Sequence, residues 1–264
     1  MILKSIDQKI RRAFSDSALH YEALTSLHKE IGRELIHKLP ADGSFSKILD
    51  VGMGTGWFTY RLKNFFPDSL VVGVDFADGM IGAARQYKEG LQIIQADAGA
   101  LPFPEASFDL IVSNLAYQWI EDLPLAFRRS YGILRNGGIC SLTLFGRETF
   151  QELFEALEHS VRNSDQEMPD FPVRRLAQRE QIEAALQNAG FIDGKVDSER
   201  IKVHFPDMLG LIQWTKNIGA NNLEKNIYIG KDLLQRANDY YNEHFRDSFG
   251  ITATFEVVWV SARK

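Results

Sequence analysis

A short apolar run followed by closely spaced glycines constrains the fold of this chain more than any other segment. Residues 48–56 read Ile-Leu-Asp-Val-Gly-Met-Gly-Thr-Gly, so the run reaches Asp50 and then Gly52, Gly54 and Gly56 follow at intervals of two. Glycine tolerates positive φ and lets the backbone approach a ligand closely. A strand that turns through glycines into a helix also presents the helix N-terminus to that ligand. The segment predicts a βα unit that binds a small nucleotide-like ligand.

Short β-rich runs alternate with helical runs from Ser46 onward. The β-rich runs lie at 47–51, 70–75, 91–95, 108–113 and 138–145, and the helical runs lie near 57–65, 78–87 and 122–134. Alternation of this kind builds a parallel sheet with right-handed crossovers and helices on both faces. The predicted fold class is therefore α/β.

The segments on either side of this alternation are also patterned. Apolar residues recur every four positions from Ile2 to Phe14 and continue at helical spacing to Leu35, which predicts two helices or one broken helix over residues 1–39. After Phe145 the sequence predicts helices near 148–160, 178–188, 206–217 and 230–245, strands near 195–204 and 251–260, and a surface loop at 163–172. Gly190 is expected to end the second of these helices.

Composition narrows the classes of partner. The 264 residues carry a net charge of −5, which argues against general nucleic-acid affinity because that needs a basic footprint. No apolar stretch approaches the ~20 residues that span a bilayer, so we expect no membrane partner and a cytoplasmic protein. Cys140 is the single cysteine, so no cysteine metal cluster is available, and no metal is expected.

The glycine segment and the strand ends together resemble class I S-adenosylmethionine-dependent methyltransferases. The spacing GxGxG after Asp50 looks like motif I of that family and differs from the GxGxxG of dinucleotide binders. Asp75 ends the second strand and Asp97 follows the third, so the three acids lie along the crevice where open α/β sheets bind ligands. Met53 departs from the family pattern, which usually has a smaller residue there.

The resemblance implies the fold, the cofactor and its contacts. The fold would be a Rossmann-like, seven-stranded, mostly parallel sheet, with a helical lid over residues 1–40 and a methyltransferase domain over 41–264 that carries helical acceptor-side insertions within 148–250. The cofactor would be S-adenosyl-L-methionine, and the product S-adenosyl-L-homocysteine. The implied cofactor-binding residues are Asp50, Gly52, Gly54, Gly56, Asp75, Met80, Asp97, Ala98 and Asn114.

The flanking segments are similar to the BioC family, the malonyl-acyl-carrier-protein O-methyltransferases that open biotin synthesis. The matching phrases are 13–14 (Ala-Phe), 20–22 (His-Tyr-Glu), 113–119 (Ser-Asn-Leu-Ala-Tyr-Gln-Trp), 149–153 (Thr-Phe-Gln-Glu-Leu), 216–220 (Lys-Asn-Ile-Gly-Ala) and 254–264 (Thr-Phe-Glu-Val-Val-Trp-Val-Ser-Ala-Arg-Lys). This resemblance implies methyl transfer to the free carboxylate of a malonyl thioester, with an acyl carrier protein as partner. We expect a monomer or weak dimer. Phe255 departs from the family, in which a tyrosine is common at that position.

A malonyl carboxylate is already ionised at neutral pH, so the reaction needs placement of the nucleophile and no general base. The resemblance puts Tyr21 in the lid near the reacting carboxylate, and Arg147 and Lys216 are candidates for a cationic anchor. An acidic carrier should dock on a basic face. The candidate docking clusters are Lys4, Lys9, Arg11 and Arg12, and Arg174, Arg175 and Arg179.

Two other functions stay open at this point. One is a related methyltransferase that acts on another small carboxylate or on a quinone-like ring, and methylation of a phenol or carbon would need a base such as His20, His28 or Asp97 facing the acceptor. A cofactor-binding module without catalysis would retain the same glycines and acids. Methyl transfer from labelled cofactor separates these functions.

Overall fold

A computed structural model describes residues 2–40, 44–87, 90–162, 176–220 and 230–264. The helices are α1 (Ile2–Leu24), α2 (Ser26–Lys38), α3 (Trp57–Phe65), α4 (Asp78–Tyr87), α5 (Leu123–Ile133), α6 (Gln151–Arg162), α7 (Arg179–Ala189), α8 (Met208–Asn217) and α9 (Lys231–His244). The strands are β1 (Lys47–Val51), β2 (Leu70–Asp75), β3 (Gln92–Gln95), β4 (Phe108–Asn114), β5 (Leu134–Phe145), β6 (Ile192–Phe205), β7 (Arg246–Asp247) and β8 (Gly250–Arg263). The loop predicted at 163–172 lies outside the described residues. No helix within the described ranges is long and apolar enough to cross a membrane.

These strands form one sheet in the order β3-β2-β1-β4-β5-β8-β6, and the short β7 pairs with β8. The first five strands pair in parallel, whereas β8 lies antiparallel between β5 and β6. The predicted Rossmann-like, mostly parallel α/β fold is confirmed. The short β7 is an eighth strand, beyond the seven expected.

Several predicted boundaries after β4 shift, and two of these shifts have a local cause. Strand β5 begins at Leu134 instead of 138, because Leu134 pairs with Phe108 and the register then shifts before Leu110 pairs with Ile139. Helix α6 begins at Gln151 instead of 148, because Phe150 has φ +63, outside the helical region. Gly190 ends α7 with φ +97, as predicted.

The two N-terminal helices have different neighbours. The apolar side chains of α2, including Leu35 and Ile36, are buried against Ile48 of β1 and Leu110 of β4. Helix α2 therefore belongs to the core of the sheet. Helix α1 packs instead against α4 and α8, beyond the carboxyl ends of the strands.

The contact between α1 and α4 depends on Gly79. A Cβ atom at Gly79 would lie 2.2 Å from the carbonyl oxygen of Ser15, and the Gly79 amide donates to Ser15 Oγ at 3.2 Å. A second glycine, Gly219 with φ +80, brings the segment after α8 against the backbone of Ala13. The 216–220 and 13–14 phrases of the sequence therefore meet at α1.

Candidate active site

A cavity of about 710 Å³ lies at the carboxyl ends of β1, β2, β3 and β4, under α1. Of the site residues expected from the sequence, those that line it are Tyr21, Gly52, Gly54, Asp75, Met80, Asp97, Ala98 and Asn114. Ile10 and Phe14 of α1 also line it, and Phe14 packs edge-on against Trp119 with ring centroids 5.5 Å apart. Helix α1 thus covers the crevice at the strand ends.

Bare backbone forms one wall of this cavity. The amides of Gly52 and Met53 both donate to the carbonyl of Val74, at 2.8 and 2.9 Å. Gly52 and Gly54 have φ of +76 and +55, in the left-handed region that favours glycine. The Cβ position of Gly54 would approach only Met80 Sδ and Tyr21 Cε1, both at 4.0 Å. The space above Gly54 is therefore open to a ligand.

Two residues of the glycine loop, the predicted Gly56 and the unusual Met53, do not line the cavity. Gly56, with φ +87, is the N-cap of α3, and its Cβ position faces Leu91 and Ala84. Met53 is buried, and its Sδ would lie 2.4 Å from a Cβ at Gly73 of β2. The unusual Met53 side chain thus fits beneath the loop because the strand carries a glycine there.

Asp75 ties the loop to β2. Its two carboxylate oxygens accept hydrogen bonds from the amides of Gly54 at 2.9 Å and Ala77 at 2.8 Å. Burial raises the pKa of Asp75, and these backbone hydrogen bonds act in the opposite direction. Asp97 is more exposed, and its Oδ1 accepts from the Gly99 amide at 2.6 Å at the start of a short 3-10 turn. Both side chains line the cavity.

Asp50 lies below the loop and is fully buried. Thr59 Oγ1 of α3 donates to Asp50 Oδ2 at 2.6 Å, whereas Oδ1 has no partner among the described residues. Burial raises the pKa of Asp50 to about 7, partly offset by the hydrogen bond from Thr59. Asp50 therefore supports the glycine loop from beneath and does not line the cavity.

Asn114 joins the cavity to α2. Its Nδ2 donates to the carbonyl of His28 at 2.9 Å, and its Oδ1 accepts from Thr143 Oγ1 at 2.9 Å. The predicted cofactor residue at the end of β4 thus also fixes the backbone of α2.

A second, smaller cavity adjoins the first and has a volume of about 30 Å³. We call it the aromatic compartment, and its walls are Phe14, Tyr21, His28, Leu115, Gln118, Trp119, Phe145, Thr149, Phe150, Leu176, Trp214, Thr215, Ile218, Ala220 and Phe255. Four of these residues, Phe14, Tyr21, Leu115 and Trp119, also line the large cavity. The two spaces therefore share a wall at which Tyr21 lies.

The charges of the two cavities differ. Asp75, Asp97, Glu121 and Asp122 line the large cavity, whereas no described residue lining the aromatic compartment is charged. Arg147 and Lys216, expected as cationic anchors, are exposed and line neither cavity. No other lysine or arginine of the described ranges lines them. The expectation of a cationic anchor within the site therefore finds no support in the geometry.

The acid-lined cavity suits S-adenosylmethionine. This cofactor carries a sulfonium and an ammonium against one carboxylate, so its net charge is opposite to that of the lining. The open space above Gly54 and the glycine backbone fit a ligand held closely against the main chain.

Comparison with known proteins supports the same assignment. A family model described as "Methyltransferase domain" matches residues 49–142. The chain is 33% identical to a malonyl-[acyl-carrier protein] O-methyltransferase of Geobacter sulfurreducens, over 96% of this chain and 97% of that protein. It is 34% identical to the protein of the same name from Hahella chejuensis, over 94% and 88%. The chain belongs to the malonyl-[acyl-carrier protein] O-methyltransferase family. As a member of that family, it is an S-adenosylmethionine-dependent methyltransferase, as predicted.

Solved structures agree on the fold. The YcgJ protein from Bacillus subtilis has a TM-score of 0.62 at 18% identity, covering 90% of this chain and 98% of its own. A Haemonchus contortus phosphoethanolamine N-methyltransferase 2, solved in complex with S-adenosyl-L-methionine, has a TM-score of 0.58 at 21% identity, covering 95% and 57%. At these identities the likeness shows the fold alone.

The aromatic compartment was not predicted from the sequence. Its walls come from α1, α2, the end of β5, α8 and β8, which are far apart along the chain. His28 lies on the apolar face of α2, a position that usually indicates packing. A histidine at a core-facing position was the one signal that pointed to it.

Proposed function

We propose that this protein methylates the free carboxylate of a malonyl thioester carried by an acyl carrier protein, early in biotin synthesis. The observation that carries this proposal is an uncharged compartment that shares a wall with an acid-lined cofactor cavity. The names of its relatives, which match over almost the whole chain, support the same acceptor.

In this proposal the residues of the large cavity hold the cofactor. Asp75 accepts the ribose hydroxyls, because a carboxylate offers two acceptor oxygens, and Asp97 lies near the adenine amino group. The backbone at Gly52 and Gly54, together with Asn114, borders the methionine portion, while Met80 and Ala98 supply apolar contacts. Bound S-adenosylmethionine supplies a sulfonium methyl group that a nucleophile can attack.

The aromatic compartment suits a carboxylate acceptor that needs no base. The carboxylate loses its charge when it becomes an ester, and a site that excludes water favours such a loss of charge. A lysine or arginine at the carboxylate would stabilise the charge that the reaction must remove. We therefore assign the placement of the carboxylate to neutral hydrogen-bond donors and not to the expected anchors Arg147 and Lys216. Burial raises the pKa of the Tyr21 hydroxyl, and the negative charges of Asp75 and Glu22 raise it further. Tyr21 therefore remains a neutral donor at the shared wall.

The phenol or quinone-like alternative requires a base, and His28 is the candidate that the structure places in the compartment. Burial lowers the pKa of His28 to about 4. A phenol has a pKa of about 10, so proton transfer to His28 would be uphill by about 6 pKa units, or about 8 kcal/mol. His20 is exposed and lines neither cavity, and Asp97 lines the cofactor cavity but not the aromatic compartment. The geometry therefore favours the carboxylate acceptor.

Transfer of a labelled methyl group tests the proposal. We expect the protein to methylate malonyl-acyl carrier protein, malonyl-coenzyme A more slowly, and acetyl-acyl carrier protein not at all, because acetyl lacks the free carboxylate. Tight cofactor binding without transfer to any of them would instead favour a non-catalytic module. Transfer to malonate or a phenol in preference to the malonyl thioesters would contradict the proposed acceptor.

A further inference from the structure

His28, which lines the aromatic compartment, carries an unpaired polar atom. Its Nδ1 is buried and has no hydrogen-bond partner among the described residues. The residue is 9% exposed, so almost all of its surface is withdrawn from solvent. Leaving such a group unpaired costs about 1–3 kcal/mol, and buried polar atoms of this kind call for an explanation.

The surrounding aromatic rings prevent the imidazole from reaching another partner. Tyr21, Phe145 and Trp214 surround it with ring centroids at 6.1, 5.7 and 6.1 Å. The backbone of His28 is fixed as well, because its carbonyl accepts from Asn114 Nδ2 at 2.9 Å. The ring is thus held by α1, β5, α8 and the end of β4.

These supports are themselves fixed. Trp214 Nε1 donates to the carbonyl of Leu24 at 2.9 Å, which ties α8 to the end of α1. Phe145 donates its amide to Gln118 Oε1 at 3.2 Å. A binding group held on rigid elements is placed more precisely than one on a loop. The partner of Nδ1 must therefore come from the compartment itself.

The size of the compartment limits what that partner can be. A cavity needs roughly 10–15 Å³ to hold one water molecule. The compartment has about 30 Å³, which admits a group of carboxylate size and excludes an aromatic ring. It shares the lining residues Phe14, Tyr21, Leu115 and Trp119 with the large cavity.

We propose that His28 binds the acceptor, by donating a hydrogen bond from Nδ1 to the malonyl carboxylate at the wall shared with the cofactor cavity. The inference rests on the proposed function and adds the residue that holds the acceptor. A neutral imidazole positions the carboxylate without the strong ion pair that methyl transfer would have to lose. His28 thereby holds the carboxylate, which is the role that the sequence suggested for Arg147 or Lys216.

Substitutions that separate the hydrogen bond from the ring test this role. His28→Phe keeps an aromatic ring in the same surroundings and removes both nitrogens, whereas His28→Asn places an amide near the position of Nδ1. A hydrogen bond to a charged group contributes about 1.5–3 kcal/mol, which corresponds to about a 10-fold to 150-fold change. We expect His28→Phe to lower kcat/KM for malonyl-acyl carrier protein by that factor and His28→Asn to recover most of it. His20→Phe and His20→Asn, on an exposed histidine, are the matched controls.

The affinity for S-adenosylhomocysteine separates acceptor binding from cofactor binding, and we expect it to be unchanged in both His28 variants. Equal activity of His28→Phe and wild type, or equal loss in His28→Phe and His28→Asn, would overturn the inference. If wild type fails to methylate any malonyl thioester, the proposed function fails instead.

Nitrogen NMR of the folded wild-type protein gives a second measurement that does not depend on the variants. With S-adenosylhomocysteine bound, malonyl-pantetheine should shift the His28 Nδ1 resonance, and acetyl-pantetheine should not. An Nδ1 resonance that malonyl-pantetheine leaves unchanged at saturation would overturn the inference, even if His28→Phe does not fold.

Discussion

At the scale of single residues, Asp50 and His28 are two buried groups whose pKa values shift in opposite directions. Burial lowers the pKa of His28 from 6.5 to about 4 and raises that of Asp50 from 3.8 to about 7. Both groups are therefore neutral in the cofactor-free protein at pH 5 to 6. A group that is neutral in the folded state and charged in the unfolded state makes stability depend on pH.

The first prediction concerns His28 and stability. Below pH 6.5 the unfolded chain protonates His28 and the folded protein does not, so stability falls as pH falls from 6.5 toward 4. Removing the group should abolish that loss. We expect the free energy of unfolding of His28→Phe, measured in urea relative to wild type, to improve by about 2 kcal/mol between pH 7 and pH 5. A difference independent of pH would contradict the neutral state of buried His28.

The second prediction concerns Asp50 and has the opposite sign. Between pH 3.8 and 7 the folded protein binds a proton at Asp50 that the unfolded chain has lost, so stability falls as pH rises through this range. Asp50→Asn removes this dependence. Relative to wild type, the variant should gain about 2 kcal/mol of unfolding free energy between pH 5 and pH 7. Asp68→Asn, on an exposed acid, serves as the control and should show no such gain.

At the scale of elements, local pattern predicted β1, β2, α3 and α4 at their observed bounds. Each of those strands is a compact apolar run, with Gly52 directly after β1 and Asp75 as the last residue of β2. The start of β5 was missed because 135–138 reads Arg-Asn-Gly-Gly, which is typical of a turn. In the structure this segment lies at a register shift between two paired positions, Leu134 with Phe108 and Ile139 with Leu110, so the neighbouring strand decides where β5 begins.

The same difference between local pattern and tertiary packing explains which parts of the candidate site were predictable. The glycine loop, Asp75 and Asp97 were predictable because adjacent strands place them by local rules. Arg147 and Lys216 were chosen for their charge, yet sequence does not reveal that both side chains are exposed away from the cavities. The aromatic compartment depends on how α8 and β8 pack against α2, which is a tertiary property.

The third prediction concerns α1, which we propose as the lid. The sequence predicted a lid over residues 1–40. Because α2 belongs to the core, we now propose that α1 alone forms the lid. A methyl group at Gly79 would meet the Ser15 backbone at 2.2 Å, and overpacking of this kind costs about 1–3 kcal/mol. Gly79→Ala should displace α1, weaken S-adenosylhomocysteine binding about tenfold, and speed amide exchange in α1.

A second glycine of α4 supplies the control for this variant. A Cβ at Gly82 would have no neighbouring atom within 4 Å, so Gly82→Ala should leave cofactor affinity unchanged and stabilise the helix. Cofactor should also slow amide exchange in α1 of the wild-type protein. Unchanged exchange on cofactor binding, or equal affinity in Gly79→Ala and wild type, would contradict the lid.

At the scale of the whole molecule, the face of α1 is the described candidate for docking an acidic carrier. Lys9, Arg11 and Arg12 are exposed and lie next to Ile10 along α1. Because Ile10 lines the cavity, these cations lie near its mouth. Arg11 pairs with Asp78 at 2.9 Å, which reduces the available charge. Structure is not described for Arg174 and Arg175 or for the side chain of Lys4, and Arg179 pairs with Glu183 at 2.7 Å.

Two exposed acids that line the cavity argue for the same face. Glu121 and Asp122 carry the charge of an acidic partner, and like charges would repel it. A carrier that delivers its malonyl group into the cavity is therefore expected to approach over α1. Electrostatic docking of this kind weakens with salt because exposed charges are screened.

Charge reversal tests this docking face. The triple variant Lys9→Glu, Arg11→Glu, Arg12→Glu should raise KM for malonyl-acyl carrier protein about tenfold at low salt, and should change KM for malonyl-pantetheine little because that substrate has no carrier surface. The control reverses three exposed cations at the strand ends opposite the cavity, Lys47, Lys195 and Arg263, so the change in net charge is the same. Equal losses in the two triple variants would show that net charge, and not the α1 face, determines carrier affinity. An equal rise in KM for both substrates would place the effect in the cavity and contradict docking on α1.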